Sequence, residues 1–254
     1  MSRADRRRAA SKAGGGPAGD VAGLAARVAA AKLPGTPPAL ADRARRALGA
    51  YLAEATGAGM PFAEVVARLA DGRAALAVAK AERRPLPVGA ACASGCAFCC
   101  ILSGDDGGLI TEAEARALHA ALSPKAGTPD GREWHPSACP ALDPGARTCR
   151  AYDARPEICR AFHSMDASAC EANARGEPVP GARLAGGHLS YLAAHGLARA
   201  ALKGRTRVDT YALREIARCA VEGQDMDTSL STARHAQTDL DAERRRTGRA
   251  LSGR

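Results

Sequence analysis

The chain has 254 residues, 36 basic against 27 acidic side chains, a net charge of +9 and only 3% aromatic residues. Much of its 46% apolar content is alanine, the best helix former, while the branched and aromatic residues of pleated sheets are scarce, which excludes an all-β sandwich or a large α/β barrel. Five basic residues against Asp5 in residues 1–12, and five against Glu243 in residues 243–254, carry nearly all the excess charge, so the nearly neutral body argues against a dedicated nucleic-acid binder.

Residues 1–19 are basic and glycine-rich and are expected to be a disordered tail, making at most weak contacts with nucleic acid. Three helices are predicted next, over Asp20–Leu33, Ala39–Thr56 and Phe62–Arg84, separated by proline- and glycine-rich breaks. In the second, Leu40, Ala44, Leu48 and Leu52 line one face; in the third, Val65, Val66, Leu69, Leu76 and Val78 form a broader stripe. Thr111-Glu-Ala-Glu114 is a capping box that starts a short helix to Leu122. A small hairpin is predicted around Asp143-Pro-Gly-Ala146, and a helix begins near Asp153–Pro156. Helices are predicted again over His188–Leu202 and Val208–Val221, with a polar, basic tail over 223–254. The fold class expected is therefore mainly α: a single domain over 20–222, with helical flanks around an irregular cysteine-rich metal-binding segment at 88–172 that contains one small β-hairpin.

Eight of the nine cysteines fall in that segment: Cys92, Cys96, Cys99, Cys100, Cys139, Cys149, Cys159 and Cys170. The first four read Cys-x3-Cys-x2-Cys-Cys, with small residues that let the backbone wrap and bring thiolates to one centre suited to zinc or an iron–sulfur cluster. Successive side chains diverge, so Cys99 and Cys100 should not serve one tetrahedral ion, and one of them is expected to face the downstream cysteines. Eight ligands suffice for two four-coordinate centres, for a cluster plus a structural zinc, or for a single centre with several spectator cysteines. Cys159, in the first turn of its helix, is expected to be stabilised as a thiolate, with Arg155 and Arg160 at its flanks. His135 and His163 read as ordinary polar residues, and Cys219 as a buried small hydrophobe.

The order Cys-x3-Cys-x2-Cys-Cys, Cys139-Pro-x-Leu142 and Cys149-x-x-Tyr152-x-x-Arg155-Pro156-x-x-Cys159-Arg160 resembles the YkgJ-type cysteine-cluster family, described as chelating zinc or iron. The resemblance covers about Cys92–Cys170 and implies that the eight cysteines are metal ligands; Ala141 stands where an aromatic is common in the family. The family is related to flagellin lysine N-methylases with an iron–sulfur cluster, so it also implies an enzymatic alternative without defining a reaction. Cys92-x3-Cys96-x2-Cys99 has the spacing of the radical S-adenosylmethionine motif as well, but helices precede it and no strand–helix alternation follows. A structural zinc module that presents a surface to a protein partner is the remaining alternative. No apolar run reaches the length of a membrane span, and clustered thiols suit a reducing compartment, so the expected location is the cytoplasm.

Overall fold

The structure, a computed structural model, describes residues 20–83, 85–101, 106–177, 179, 182–184 and 186–251. The chain opens with α1 (Val21–Ala30), whose first turn is held by the Asp20 carboxylate accepting the Gly23 N–H at 2.6 Å. Then comes α2 (Pro38–Gly57), which starts on a proline where no intrahelical N–H is needed. It buries Ala41, Ala44, Leu48, Leu52 and Ala55; of the predicted stripe Ala44, Leu48 and Leu52 are buried, whereas Leu40 is only half-buried and Ala41 takes the core position beside it.

The helix expected over Phe62–Arg84 is two helices, α3 (Phe62–Ala70) and α4 (Arg73–Glu82). Gly72 breaks it at φ 89°, and a Cβ there would stand 2.2 Å from Thr111 Cγ2. The Asp71 carbonyl accepts the Ala113 N–H at 2.9 Å, so the break is the seat for the strand–helix corner around Thr111. Gly72→Ala combines left-handed backbone strain of about 1–2 kcal/mol with overpacking of about 1–3 kcal/mol. Its expected result is a lower urea midpoint at unchanged slope.

Two apolar cores follow from this layout. In the first, α8 (Gly186–Leu202) lies among α1, α2, α3, α4 and the C-terminal helix α11 (Asp239–Leu251). Its Leu192, Ala193, Ala194, Leu197, Ala198 and Ala201 are fully buried, small residues that let helix axes approach closely. The second core packs α5 (Glu112–Leu122), α9 (Leu213–Val221) and α10 (Met226–Ala233) around Ile110 and Tyr211.

Residues 210–212 correct the helix predicted over Val208–Val221. They form β4 (Thr210–Ala212), antiparallel to β1 (Leu109–Thr111), with Ile110 opposite Tyr211 and Thr111 opposite Thr210. Branched and aromatic residues buried in a cross-strand pair outweigh local helix propensity here. A second ladder pairs β2 (Phe162–Ser164) with β3 (Ala182–Leu184). The hairpin at Asp143 forms as a single antiparallel bridge, Leu142 to Cys149, with the Asp143 carboxylate accepting the N–H groups of Gly145 and Ala146. All strand pairs among the described residues are antiparallel.

The segment from 223 also departs from the expected polar tail. It forms α10 and α11, and α11 docks Leu240 into the first core. Arg244 is 5% exposed, donating to the Pro34 carbonyl, the Thr36 hydroxyl and Asp241. One of the C-terminal charges is thus engaged inside the fold. The basic stretch 1–19 lies outside the described residues. Among the described residues no helix is long and apolar enough to cross a membrane.

Candidate metal centre

The eight cysteines of the segment reach the site from short, irregular elements. Cys92 is exposed and precedes a turn at Gly95 (φ 81°) that delivers Cys96. Phe98–Cys100 is one turn of 3-10 helix, and it packs against α7 (Ala167–Ala174), which carries the buried Cys170. The start of α7 is fixed by the Asp166 carboxylate, which accepts the N–H groups of Ser168 and Ala169. Cys92 Sγ accepts the Ser164 N–H at 3.4 Å, tying the first cysteine to the end of β2. Burial raises the Cys96 thiol pKa, with further increments from the negative charge of Cys99, Cys92 and Cys170. These three are its thiol neighbours.

The other four gather elsewhere. Cys139 donates its N–H to the Cys100 carbonyl at 3.2 Å, and Cys149 enters through the bridge to Leu142. Cys159 sits on α6 (Glu157–Ala161), a helix of five residues that runs directly into β2. Cys139, Cys149 and Cys159 pack against the second apolar core, while Cys100 packs against a small cluster of Ala97, Ala138 and Leu142. Gly131 allows this close approach, since a Cβ there would stand 2.5 Å from the Cys139 carbonyl oxygen.

Electrostatics link Cys100, Cys139, Cys149 and Cys159 to one another, with Cys99 acting on both groups. Burial pushes the Cys139 thiol up to about 11, and the charge of Cys149 adds to it. Cys100 is raised by its hydrogen bond with Cys99, by burial and by the charges of Cys99, Cys139 and Cys159. The same Cys99–Cys100 bond lowers Cys99, aided by the Arg155 guanidinium and opposed by burial. Cys159 is corrected against expectation. Burial raises its thiol well above the ordinary value, reinforced by the charges of Cys139, Cys149 and Cys99. In so short a helix, desolvation outweighs the N-terminal dipole.

The two arginines divide their work. Arg160 does not donate to sulfur; it donates to the carbonyls of Asp153, Arg155 and Tyr152, lacing together the turn before α6. Arg155 stacks over the Tyr152 ring at 3.9 Å and lowers the pKa of Cys99, Cys149 and Cys159 by its charge. His135 accepts the Ser137 N–H, and His163 lies in β2 opposite Arg183. Cys219 is buried on α9, away from the other thiols, beside Glu215.

Sequence reasoning missed Arg214, which donates to the Cys100 carbonyl at 3.2 Å from the start of α9. Beside it opens a cleft of about 450 Å³ lined by Arg132, Ala138, Pro140, Arg214, Glu215 and Arg218. Arg132 is paired with Asp130 and Glu222, and Arg218 with Glu215 and Glu222.

Among the described residues no group of three or more His, Cys, Asp or Glu side chains is close enough to hold a metal ion as it stands. The thiols are neighbours in charge and packing, and closing onto an ion requires them to rotate to sulfur–metal distances of about 2.3 Å. Their chemistry fits a soft cation. Buried thiols that raise one another's pKa can all ionise only when a positive charge compensates them.

No curated protein and no solved structure matches the chain. Residues 91–177 match the model of the CxxCxxCC family, described as a "Putative zinc- or iron-chelating domain", and the match spans all eight of these cysteines. The segment that gathers the thiols is thus similar to the cysteine-cluster domain that this family model describes.

Proposed function

We propose that the protein is a cytoplasmic metal-binding protein whose ligands are Cys92, Cys96, Cys99 and Cys170 in one set, and Cys100, Cys139, Cys149 and Cys159 in the other. The observation that carries this reading is the division of the vicinal pair. Cys99, with Cys92 and Cys170, is among the thiols whose charge acts on Cys96, while Cys100 is joined through its carbonyl to Cys139 and feels the charges of Cys139 and Cys159. The hydrogen bond between the two thiols supports two sets that lie side by side. Zinc would supply charge compensation and a cross-link; an iron–sulfur cluster would add one-electron transfer. Arg155 orients toward the thiols and offsets their accumulated charge, and Arg160 holds the turn on which Arg155 sits.

The test is anaerobic purification followed by metal and sulfide analysis of the full chain and of Cys96→Ser and Cys139→Ser. Each variant is expected to lose about half of the metal, because a closed site of four thiolates does not survive loss of one. Acid-labile sulfide and a brown colour would assign iron–sulfur; a colourless protein with zinc would assign a structural site. Unchanged metal content in both variants would overturn the ligand sets.

A further inference from the structure

Between the first core and the cysteine segment lies one carboxylate that the metal reading does not use. Glu114 is buried at the start of α5, and its two oxygens are divided. Oε2 accepts the Thr111 N–H at 2.9 Å, the Thr111 hydroxyl at 2.9 Å and the Tyr191 hydroxyl at 2.5 Å. Oε1 accepts the Glu157 N–H at 2.6 Å. The first is the Glu114 arm of the capping box read from the sequence, and the second is an added hydroxyl bond between the same two side chains. The other two reach 77 residues forward to α8 and 43 residues forward to α6.

We propose that Glu114 is a positioning residue for Cys159, holding α6 against the helical body so that the second thiol set keeps its shape. This rests on the proposed ligand role of Cys159. With five residues α6 has almost no internal hydrogen bonding of its own, and Pro156 before it brings no N–H. The Glu157 N–H is the first donor of the helix, and it is buried, so an acceptor must be supplied from elsewhere. Glu114 supplies it, two residues before Cys159. The Glu157 side chain fastens the same point from the other side by its ion pair with Arg83 at the end of α4. Thr111, which shares Glu114, is also the side chain seated over Gly72. A single buried carboxylate thus joins α8, the α3–α4 break and the helix of Cys159.

The test loads full-length protein with zinc and follows its release to a chromogenic chelator. In Glu114→Gln an amide N–H₂ must face donors on one side or the other, and release is expected about 10–100-fold faster, the usual range when groups supporting a ligand are lost. Tyr191→Phe removes a donor from the same carboxylate but leaves the Glu157 bond, and is expected to release zinc at the wild-type rate. In a Cys159→Ala background, Glu114→Gln is expected to add no further acceleration. The cobalt-substituted protein should show an altered thiolate-to-metal band in Glu114→Gln alone. Should Glu114→Gln fail to fold, Glu157→Pro against Glu157→Gln carries the comparison, because only the former deletes the N–H. Wild-type release from Glu114→Gln, or equal acceleration by Tyr191→Phe, would overturn the positioning role while leaving the metal reading intact. Wild-type protein that takes up neither zinc, cobalt nor an iron–sulfur cluster would overturn the metal reading and the positioning role together.

Discussion

Stripping the metal is expected to unfold the cysteine segment and leave the helical body folded. The body has its own core, in which α8 is surrounded by five helices. By contrast, the cluster under Phe98–Cys100 contains three buried apolar residues, Ala97, Ala138 and Leu142, two of them alanines. Burying one leucine contributes about 2 kcal/mol, whereas each ordered residue costs about 1–2 kcal/mol of backbone entropy. Metal–thiolate bonds supply what packing does not, on the order of 10 kcal/mol for a structural zinc site. Hydrogen exchange on chelated protein should therefore show protection lost over 85–101 and 139–164 and retained in α1–α4 and α8. Full protection of the cysteine segment in the apoprotein would refute this.

Acid is expected to attack the body through a different device. His188 and His195 lie on α8 against the two faces of Tyr191, both within 1% exposure. Neither His188 nitrogen has a hydrogen-bond partner, and burial lowers both imidazoles to about 4 from 6.5. Folded, they stay neutral; unfolded, they take up protons below 6.5. Their contribution to stability is therefore complete above 6.5 and is lost as the pH falls toward 4. At about 1.4 kcal/mol per pH unit, each contributes about 3 kcal/mol across that window. Glu114, whose pKa burial raises, works in the opposite direction. His188→Phe keeps the stacking on Tyr191 and removes one titration. Its stability relative to wild type should improve by about 3 kcal/mol between pH 7 and pH 4 in denaturant titrations. Acid effects on the thiols are common to both proteins and cancel in the difference. A difference that does not change with pH would show that His188 is protonated in the folded state.

Several features were legible from residues alone because they are local. The fourfold spacing of α2 put Ala44, Leu48 and Leu52 on one face, and all three are buried. The Thr111-x-x-Glu114 signature closes as a capping box. The hairpin turn at Asp143 follows from an Asx side chain before proline and glycine. Features that depend on distant partners were not legible. The Gly72 break is decided by Thr111, 39 positions further along the chain, and β4 by a strand about a hundred residues earlier. The C-terminal helix looked polar because, among its described side chains, those buried are Leu240 and Arg244, and two acceptors of Arg244 lie 210 and 208 residues away.

The opening numbers divide along the same line. Spacing in the sequence by itself determined a mainly α chain, eight thiols of metal-ligand type in one segment, and an excess of charge at the ends. Cysteine spacing and alanine content act over a few residues, and they survive any arrangement of the rest. Only the tertiary structure decided which thiols are neighbours, that desolvation raises the Cys159 thiol instead of favouring its thiolate, and that Glu114 serves three elements at once. Desolvation and hydrogen-bond satisfaction depend on what encloses a group, and that enclosure is built by residues far apart in the chain.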